Sequence, residues 1–213
     1  MRALIRLIPG RLIFTGLLFI AATAHAQADD LLARIAAQLD KHAVVRAEFS
    51  QSKQISGLKR PLQTSGQLVF TRQQGVLWQI EQPYRISYIL SEDRVVEIGA
   101  DGSRKQRLAQ DLPGLAQVGR VFRAMLGANT GALREYFDIQ AQGDTGNWSL
   151  KLTPRQAQMA QFIERLDLSG DAFVGAIRIQ ESSGDLTQIQ FRNSKGASAL
   201  SESEQQLFGG GSK

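Results

Sequence analysis

Residues 66–80 read GQLVFTRQQGVLWQI, and this stretch decides the fold. Leu68 and Phe70 stand two apart, as do Val76, Trp78 and Ile80, with Gln73-Gln74-Gly75 between the two sets. A period of two sends alternate side chains to opposite faces of a strand. The pattern therefore predicts strands over 63–72 and 75–81, joined by a tight turn and paired antiparallel with their large side chains on one face.

The same reading extends in both directions. Upstream, Val45, Ala47 and Phe49 alternate with Arg46, Glu48 and Ser50. Downstream, 84–90 (Tyr84, Ile86, Tyr88, Leu90) and 94–98 predict two more strands, closed by Ala100-Asp101-Gly102. Five further strands are predicted over 137–142, 148–153, 162–168, 173–180 and 185–192, with Gly143-Asp144, Ser169-Gly170-Asp171 and Ser183-Gly184-Asp185 as turns between them.

Two segments change period. Leu31, Leu32, Ile35, Ala36 and Leu39 follow Asp29-Asp30 at helical spacing, which predicts a helix capped by those acids and ending near Lys41-His42. Leu115, Val118, Val121, Phe122, Met125 and Leu126 recur at spacings of three and four between Pro113-Gly114 and Gly127. Asn129 or Thr130 caps a further turn through Tyr136. Ten short strands and two helices predict a mainly β, α+β domain: one strongly curved antiparallel sheet with the helices over its open side. Two stacked sheets are the alternative, and they leave the helices without a seat. From Asn193 the chain turns polar, and 209–213 is expected to be a flexible tail.

The N-terminus reads as an export signal. Arg2, Arg6 and Arg11 precede an apolar run of roughly 11 residues, where a membrane span needs about 20. Ala24-His25-Ala26 then supplies a small-x-small cleavage site. Cleavage after Ala26 gives 1–26 as signal peptide and a mature chain whose net charge falls from +5 to +2 with the loss of three arginines. Such a balance gives no argument for nucleic acid. With no cysteine in the sequence there is no lipid-modified cysteine, and the expected compartment is the periplasm.

Most catalytic chemistry is excluded by composition. Zero cysteines remove thiol nucleophiles and cysteine metal sites, and cleavage leaves His42 alone among the histidines, at a helix end where a cation is favoured anyway. Gly-x-Ser-x-Gly, His-Glu-x-x-His and phosphate-binding glycine motifs do not occur. No cofactor is expected. Glu48, Glu81, Glu92, Asp93 and Glu97 are scattered over strand faces and turns, which leaves a glycan-active carboxylate pair open without a motif. Arg104-Lys105-Gln106-Arg107 reads as a surface loop, or as a dock for an acidic partner or lipid headgroups.

The positive signal is the number of large apolar side chains on strand faces: Phe49, Phe70, Trp78, Tyr84, Tyr88, Trp148, Phe162 and Phe173. They form either a solid core or the lining of a greasy cavity that two short helices do not fill. The cavity reading assigns the lining to Phe49, Leu68, Phe70, Trp78, Ile86, Tyr88, Trp148 and Leu150. Its lid is Leu115, Val118, Phe122 and Met125. Arg72 follows Phe70 by two, so it must reach the rim or find carbonyls or a carboxylate on the covering helices.

The order Val45-x-Ala47-x-Phe49-x-Gln51, Gly66-x-Leu68-x-Phe70-x-Arg72 and Leu77-Trp78-x(4)-Pro83 resembles the outer-membrane lipoprotein carrier family, the periplasmic LolA chaperones. The resemblance runs from about Leu31 to Phe208 and gives 27–208 as a single carrier domain. It implies an unclosed β-barrel with a helical lid over a cavity that shields acyl chains. It also implies a monomer without cofactor or enzymatic activity, which takes an acylated lipoprotein or other acyl lipid from an inner-membrane ABC transporter to an outer-membrane receptor of similar fold. Arg72 matches the family arginine and is thereby implied as a latch on the lid. Two departures stand out: Gln73 replaces the proline frequent after that arginine, and Leu207-Phe208 runs directly into Gly209 where the family continues. A glycan-binding or glycan-active periplasmic protein and a structural adaptor are the competing readings.

Overall fold

The computed structural model describes residues 20–111, 124 and 130–209. Helix α1 (Ile20–Leu39) leads into β1 (Val44–Gln54), β2 (Leu62–Thr71), β3 (Gly75–Gln82), β4 (Ile86–Leu90), β5 (Arg94–Gly99) and β6 (Arg104–Leu108). After a 3-10 turn at Ala109–Asp111 come α2 (Thr130–Tyr136), β7 (Phe137–Asp144), β8 (Asn147–Pro154), α3 (Ala157–Ala160), β9 (Ile163–Gly170), β10 (Val174–Glu181), β11 (Leu186–Ala197) and α4 (Glu202–Gly209).

All eleven strands form one antiparallel sheet in the order β6-β5-β4-β3-β2-β1-β11-β10-β9-β8-β7. Two meanders are joined at β1 and β11, where Phe49 stands opposite Phe191 and Gln51 opposite Ile189. Strands β6 and β7 remain as edges, so the curved sheet is an unclosed barrel rather than a pair of stacked sheets.

The concave face carries the main core. Leu31, Leu32, Ile35 and Leu39 of α1 pack on Val45, Phe49, Leu68, Trp148, Leu150 and their neighbours. The convex face has an apolar patch of its own, made by Val44, Val69, Leu77, Ile89, Val96 and Ile98. Leu200, Leu207 and Phe208 cover that patch, the last two from α4. Strands buried on both faces read as continuous apolar runs, which accounts for Val76-Leu77-Trp78 and Val95-Val96.

Helix α4 is held at both ends. Ser201 and Glu204 make a capping box: Ser201 N–H donates to Glu204 Oε2 at 2.6 Å, and Glu204 N–H donates to Ser201 Oγ at 3.3 Å. Glu204 also takes a bidentate contact from Arg46 on β1, Nε to Oε1 at 2.6 Å and Nη2 to Oε2 at 2.5 Å. At the other end Arg104 of β6 donates to the Leu207 carbonyl at 2.8 Å, a cation placed at the helix C-terminus.

Several expectations are corrected. Helix α1 is already helical at Ile20, the first described residue, so Asp29-Asp30 is not its cap; the alanine-rich segment before those acids is a strong helix former. It runs without a break through Ala24-His25-Ala26. Residues 104–107 are not a loop but edge strand β6, whose charged side chains discourage a further strand from pairing there. Tyr84 is 61% exposed and precedes β4, and Phe162 is 44% exposed and precedes β9, so neither faces the core. The polar stretch after Asn193 is sheet as far as Ala197 and then helix, with Gly209 as the helix end. The remaining tail residues, 210–213, lie outside the described residues.

Candidate lipid-binding site on the concave face

Register brings most of the expected lining together. Leu68 stands opposite Trp78, Trp78 opposite Tyr88, and Tyr88 opposite Glu97. The neighbouring inner row is Phe70, Val76, Leu90 and Val95, and on the other side Ile80 faces Ile86. Phe49 lies on Trp78 with ring centroids 3.9 Å apart, and Phe191 meets Trp78 edge-on at 6.3 Å. Gly66 makes this cluster possible. It stands opposite Phe49, and a Cβ there would fall 1.9 Å from the Gln79 carbonyl oxygen, at the bulge where β3 crowds β2. That close approach is the physical content of the glycine in Gly66-x-Leu68-x-Phe70-x-Arg72.

Trp78, Ile80, Ile86, Tyr88 and Phe191 are half-buried, whereas Trp148, Leu150, Leu152, Leu166 and Leu168 on β8 and β9 are fully buried. Burial pushes the Tyr88 phenol above its ordinary pKa, and the Glu97 carboxylate opposite adds to the rise.

Trp148 and Leu150 belong to the closed half. Leu32, Ile35 and Leu39 of α1 lie over them, leaving a slit of about 20 Å³, and the Trp148 indole N–H donates to the Asp171 carbonyl at 2.7 Å. A second slit of about 20 Å³ separates Leu39 from Val45, Ala47, Leu68 and Phe191. Each holds little more than one water molecule. A larger cleft of about 620 Å³ lies on the opposite, convex side, between Ile89, Val96 and Phe208. Size alone would therefore misplace the site.

Arg72 sits just past the end of β2 and reaches α1. Its guanidinium pairs with the Asp40 carboxylate at 2.8 Å and donates to the Asp40 backbone carbonyl. Asp40 directly follows α1, and its own N–H donates to the Ala36 carbonyl. Arg72 thus binds the C-terminal end of the helix that covers the concave face, through both a carbonyl and a carboxylate. Leu115, Val118, Phe122 and Met125 lie outside the described residues. Ala124, from the same segment, is helical and buried in the main core.

No cluster of metal-ligating side chains occurs among the described residues. His42 is a packing residue: its ring stacks on Phe173 at 5.4 Å and occupies the space that a side chain at Gly196 would need. What the site presents is an apolar, partly open surface beside a helix whose end is bonded to Arg72.

Comparison of the sequence with known families finds one described as outer membrane lipoprotein carrier protein LolA-like, matching residues 21–206. The chain belongs to this LolA-like family. A search of curated proteins finds no match. Among solved structures, MucB is similar with a TM-score of 0.50 and 16% identity, over 84% of this chain and 62% of MucB. A LolA superfamily protein from Nitrosomonas europaea aligns at TM-score 0.47 and 10% identity, covering 81% of this chain and 94% of that one. A putative outer membrane lipoprotein-sorting protein domain from Vibrio parahaemolyticus aligns at 0.46 and 10%, covering 85% and 99%.

The site also contains Ile80, which the alternation of β3 places on the Trp78 face, and Phe191, which lies within the strand expected over 185–192 but is not among the expected lining. Asp40, the partner of Arg72, carried no signal, because the two residues meet only through the placement of α1.

Proposed function

We propose that this LolA-like protein is a periplasmic carrier that takes up acyl chains on the concave face of β1–β4, over Phe49, Leu68, Phe70, Trp78, Ile86 and Tyr88. The observation that carries the reading is the half-buried aromatic surface around Trp78, beside a face that α1 otherwise fills. Each half-exposed ring forgoes part of its transfer free energy, which an acyl chain laid over the rings would recover.

In the free protein α1 lies down on the sheet and Arg72 latches its end. Loading requires α1 to withdraw, which converts the slits beside Leu39 into an acyl-sized space. Trp148 and Leu150 become cargo contacts only in that opened form. The carrier forms no bond with its cargo, and the latch raises the free energy of the loaded state, which favours release. The cargo is an acylated lipoprotein or another acyl lipid, received from an inner-membrane exporter and passed to an outer-membrane receptor. Cleavage after Ala26 delivers the chain to the periplasm.

The test is titration of the purified protein with an environment-sensitive acyl probe, together with mass spectrometry of its extracted lipids. Saturable binding that shifts Trp78 emission, and is lost from the emission of Trp78→Phe but not of Trp148→Phe, supports the carrier. Glycan binding or turnover without acyl binding would replace it.

A further inference from the structure

The inner face of β1 changes character part-way along. Val45, Ala47 and Phe49 are apolar and buried, and the next inward positions are Gln51 and Lys53. The flanking strands change at the same level: Thr64 on β2 stands opposite Gln51, and Thr187 on β11 stands opposite Lys53. The concave face is therefore amphiphilic along its length, with aromatic rings at its centre and polar side chains at one end.

Part of that polar end is internally satisfied. Lys53 Nζ donates to both Glu181 carboxylate oxygens at 2.8 and 3.0 Å, and the Thr187 hydroxyl donates to Glu181 Oε1 at 3.0 Å. Thr64 is different. Among the described residues its Oγ1 is the buried side-chain oxygen with no hydrogen-bond partner, and the Gln51 amide directly opposite does not supply one. A buried hydroxyl without a partner costs stability, and a valine of the same shape would avoid that cost. The hydroxyl fits a group that arrives from outside.

We infer that Thr64 and Gln51 form a subsite for the uncharged polar linkage of an acylated ligand, taking its ester or amide carbonyl while the acyl chain runs over Phe49 and Trp78. The inference rests on the carrier reading and adds to it the orientation and chemistry of the cargo. Two residues along a strand span about 6.7 Å, so a carbonyl held at Gln51 places the first few methylenes against the Phe49 ring. The charge balance argues for a neutral group. On this face Lys53 is already paired with Glu181, with Asp185 Oδ2 a further 4.0 Å contact, so Lys53 itself is not left over for a phosphate or a free carboxylate. A carbonyl accepts from both the Thr64 hydroxyl and the Gln51 amide, and the same geometry serves a glycerol ester and an N-acyl amide.

The test compares 1-monopalmitoylglycerol with 1-O-hexadecylglycerol, which has the same length and headgroup but no carbonyl, each displacing a fluorescent acyl probe from the full chain. N-palmitoylethanolamine separates the amide source from the ester. The wild type should prefer the carbonyl ligands over the ether by about five- to tenfold, the worth of one net hydrogen bond. Thr64→Val and Gln51→Leu should lose that preference with ether binding unchanged, and Thr64→Ser should keep it. A preference that survives in both Thr64→Val and Gln51→Leu overturns the subsite and leaves the carrier standing. A wild type that binds neither the probe nor any of the three ligands overturns the carrier reading, and the subsite with it.

Discussion

Replacing Arg72 by Leu removes the side chain that ties α1 to the sheet rim, and the size of the effect follows from the two contacts it loses. The ion pair with Asp40 is 41% exposed on the arginine side and 50% on the aspartate side. Solvent screening limits such a pair to about 0.2–1 kcal/mol. The hydrogen bond to the Asp40 carbonyl places a cation at the C-terminal end of α1, an arrangement worth about 0.3–1 kcal/mol. The contacts share one guanidinium and are not fully additive, so the latch contributes about 1 kcal/mol, a factor of about five in the closed-to-open ratio. On the carrier function proposed above, only the closed form has these contacts and only the open form accepts acyl chains. Arg72→Leu should therefore bind an acyl probe up to about fivefold more tightly, exchange the amides of residues 31–39 faster, and hand cargo to a membrane acceptor less completely. Salt near 1 M, where the screening length is about 3 Å, should move the wild type part of the way towards the variant. Weaker binding by Arg72→Leu, with α1 exchange unchanged, would refute the latch and make Arg72 a rim contact for the cargo.

Acid should loosen the C-terminal helix. The hydrogen bonds from Arg46 hold the Glu204 carboxyl below its ordinary pKa, so the stabilisation is complete above the unfolded value of about 4.3 and is lost as pH falls through the lower folded value. Limited proteolysis near residues 200–209 should rise in that window in the wild type, and Glu204→Gln should be pH-insensitive there. Leu68→Ala and Leu77→Ala both empty sites that are 2% and 0% exposed, and each should cost about 2–5 kcal/mol in denaturant unfolding. Only Leu68→Ala, on the concave face, should change acyl-probe affinity, and an equal change in Leu77→Ala would move the site to the convex side. N-terminal sequencing of periplasmic protein should begin at Gln27, and a membrane-bound form that retains Arg2 would exclude cleavage after Ala26.

The alternation in residues 45–51 and 66–80 was enough for the strands, their hairpin and the inward set Phe49, Leu68, Phe70, Trp78 and Tyr88, because each such feature depends on neighbours a few residues away. The expectation failed where a strand has two buried faces or where local composition is polar. Leu77, Ile89 and Val96 sit on the convex face under α4, and the Ser201-Glu202-Ser203-Glu204 capping box that starts α4 was passed over because the surrounding sequence is hydrophilic. Strand β6 is not legible in the sequence for a related reason. Its basic residues are those of an exposed edge, and edge strands lack the alternating pattern that burial imposes.

By itself, then, the sequence determined an antiparallel meander, an amphipathic helix before it, a set of aromatic side chains on one strand face, and a family resemblance carried by Phe49, Gly66 and Trp78. Tertiary structure alone decided which of those side chains stay half-open, that Arg72 finds Asp40, and that the Oγ1 of half-buried Thr64 is enclosed opposite Gln51 without a partner. The physical reason is range. Periodicity is a property of one strand, but exposure and polar satisfaction depend on pairing such as Val44 with Ala197, which joins the two halves of the sheet across most of the chain. Nothing in either segment alone encodes the other's position.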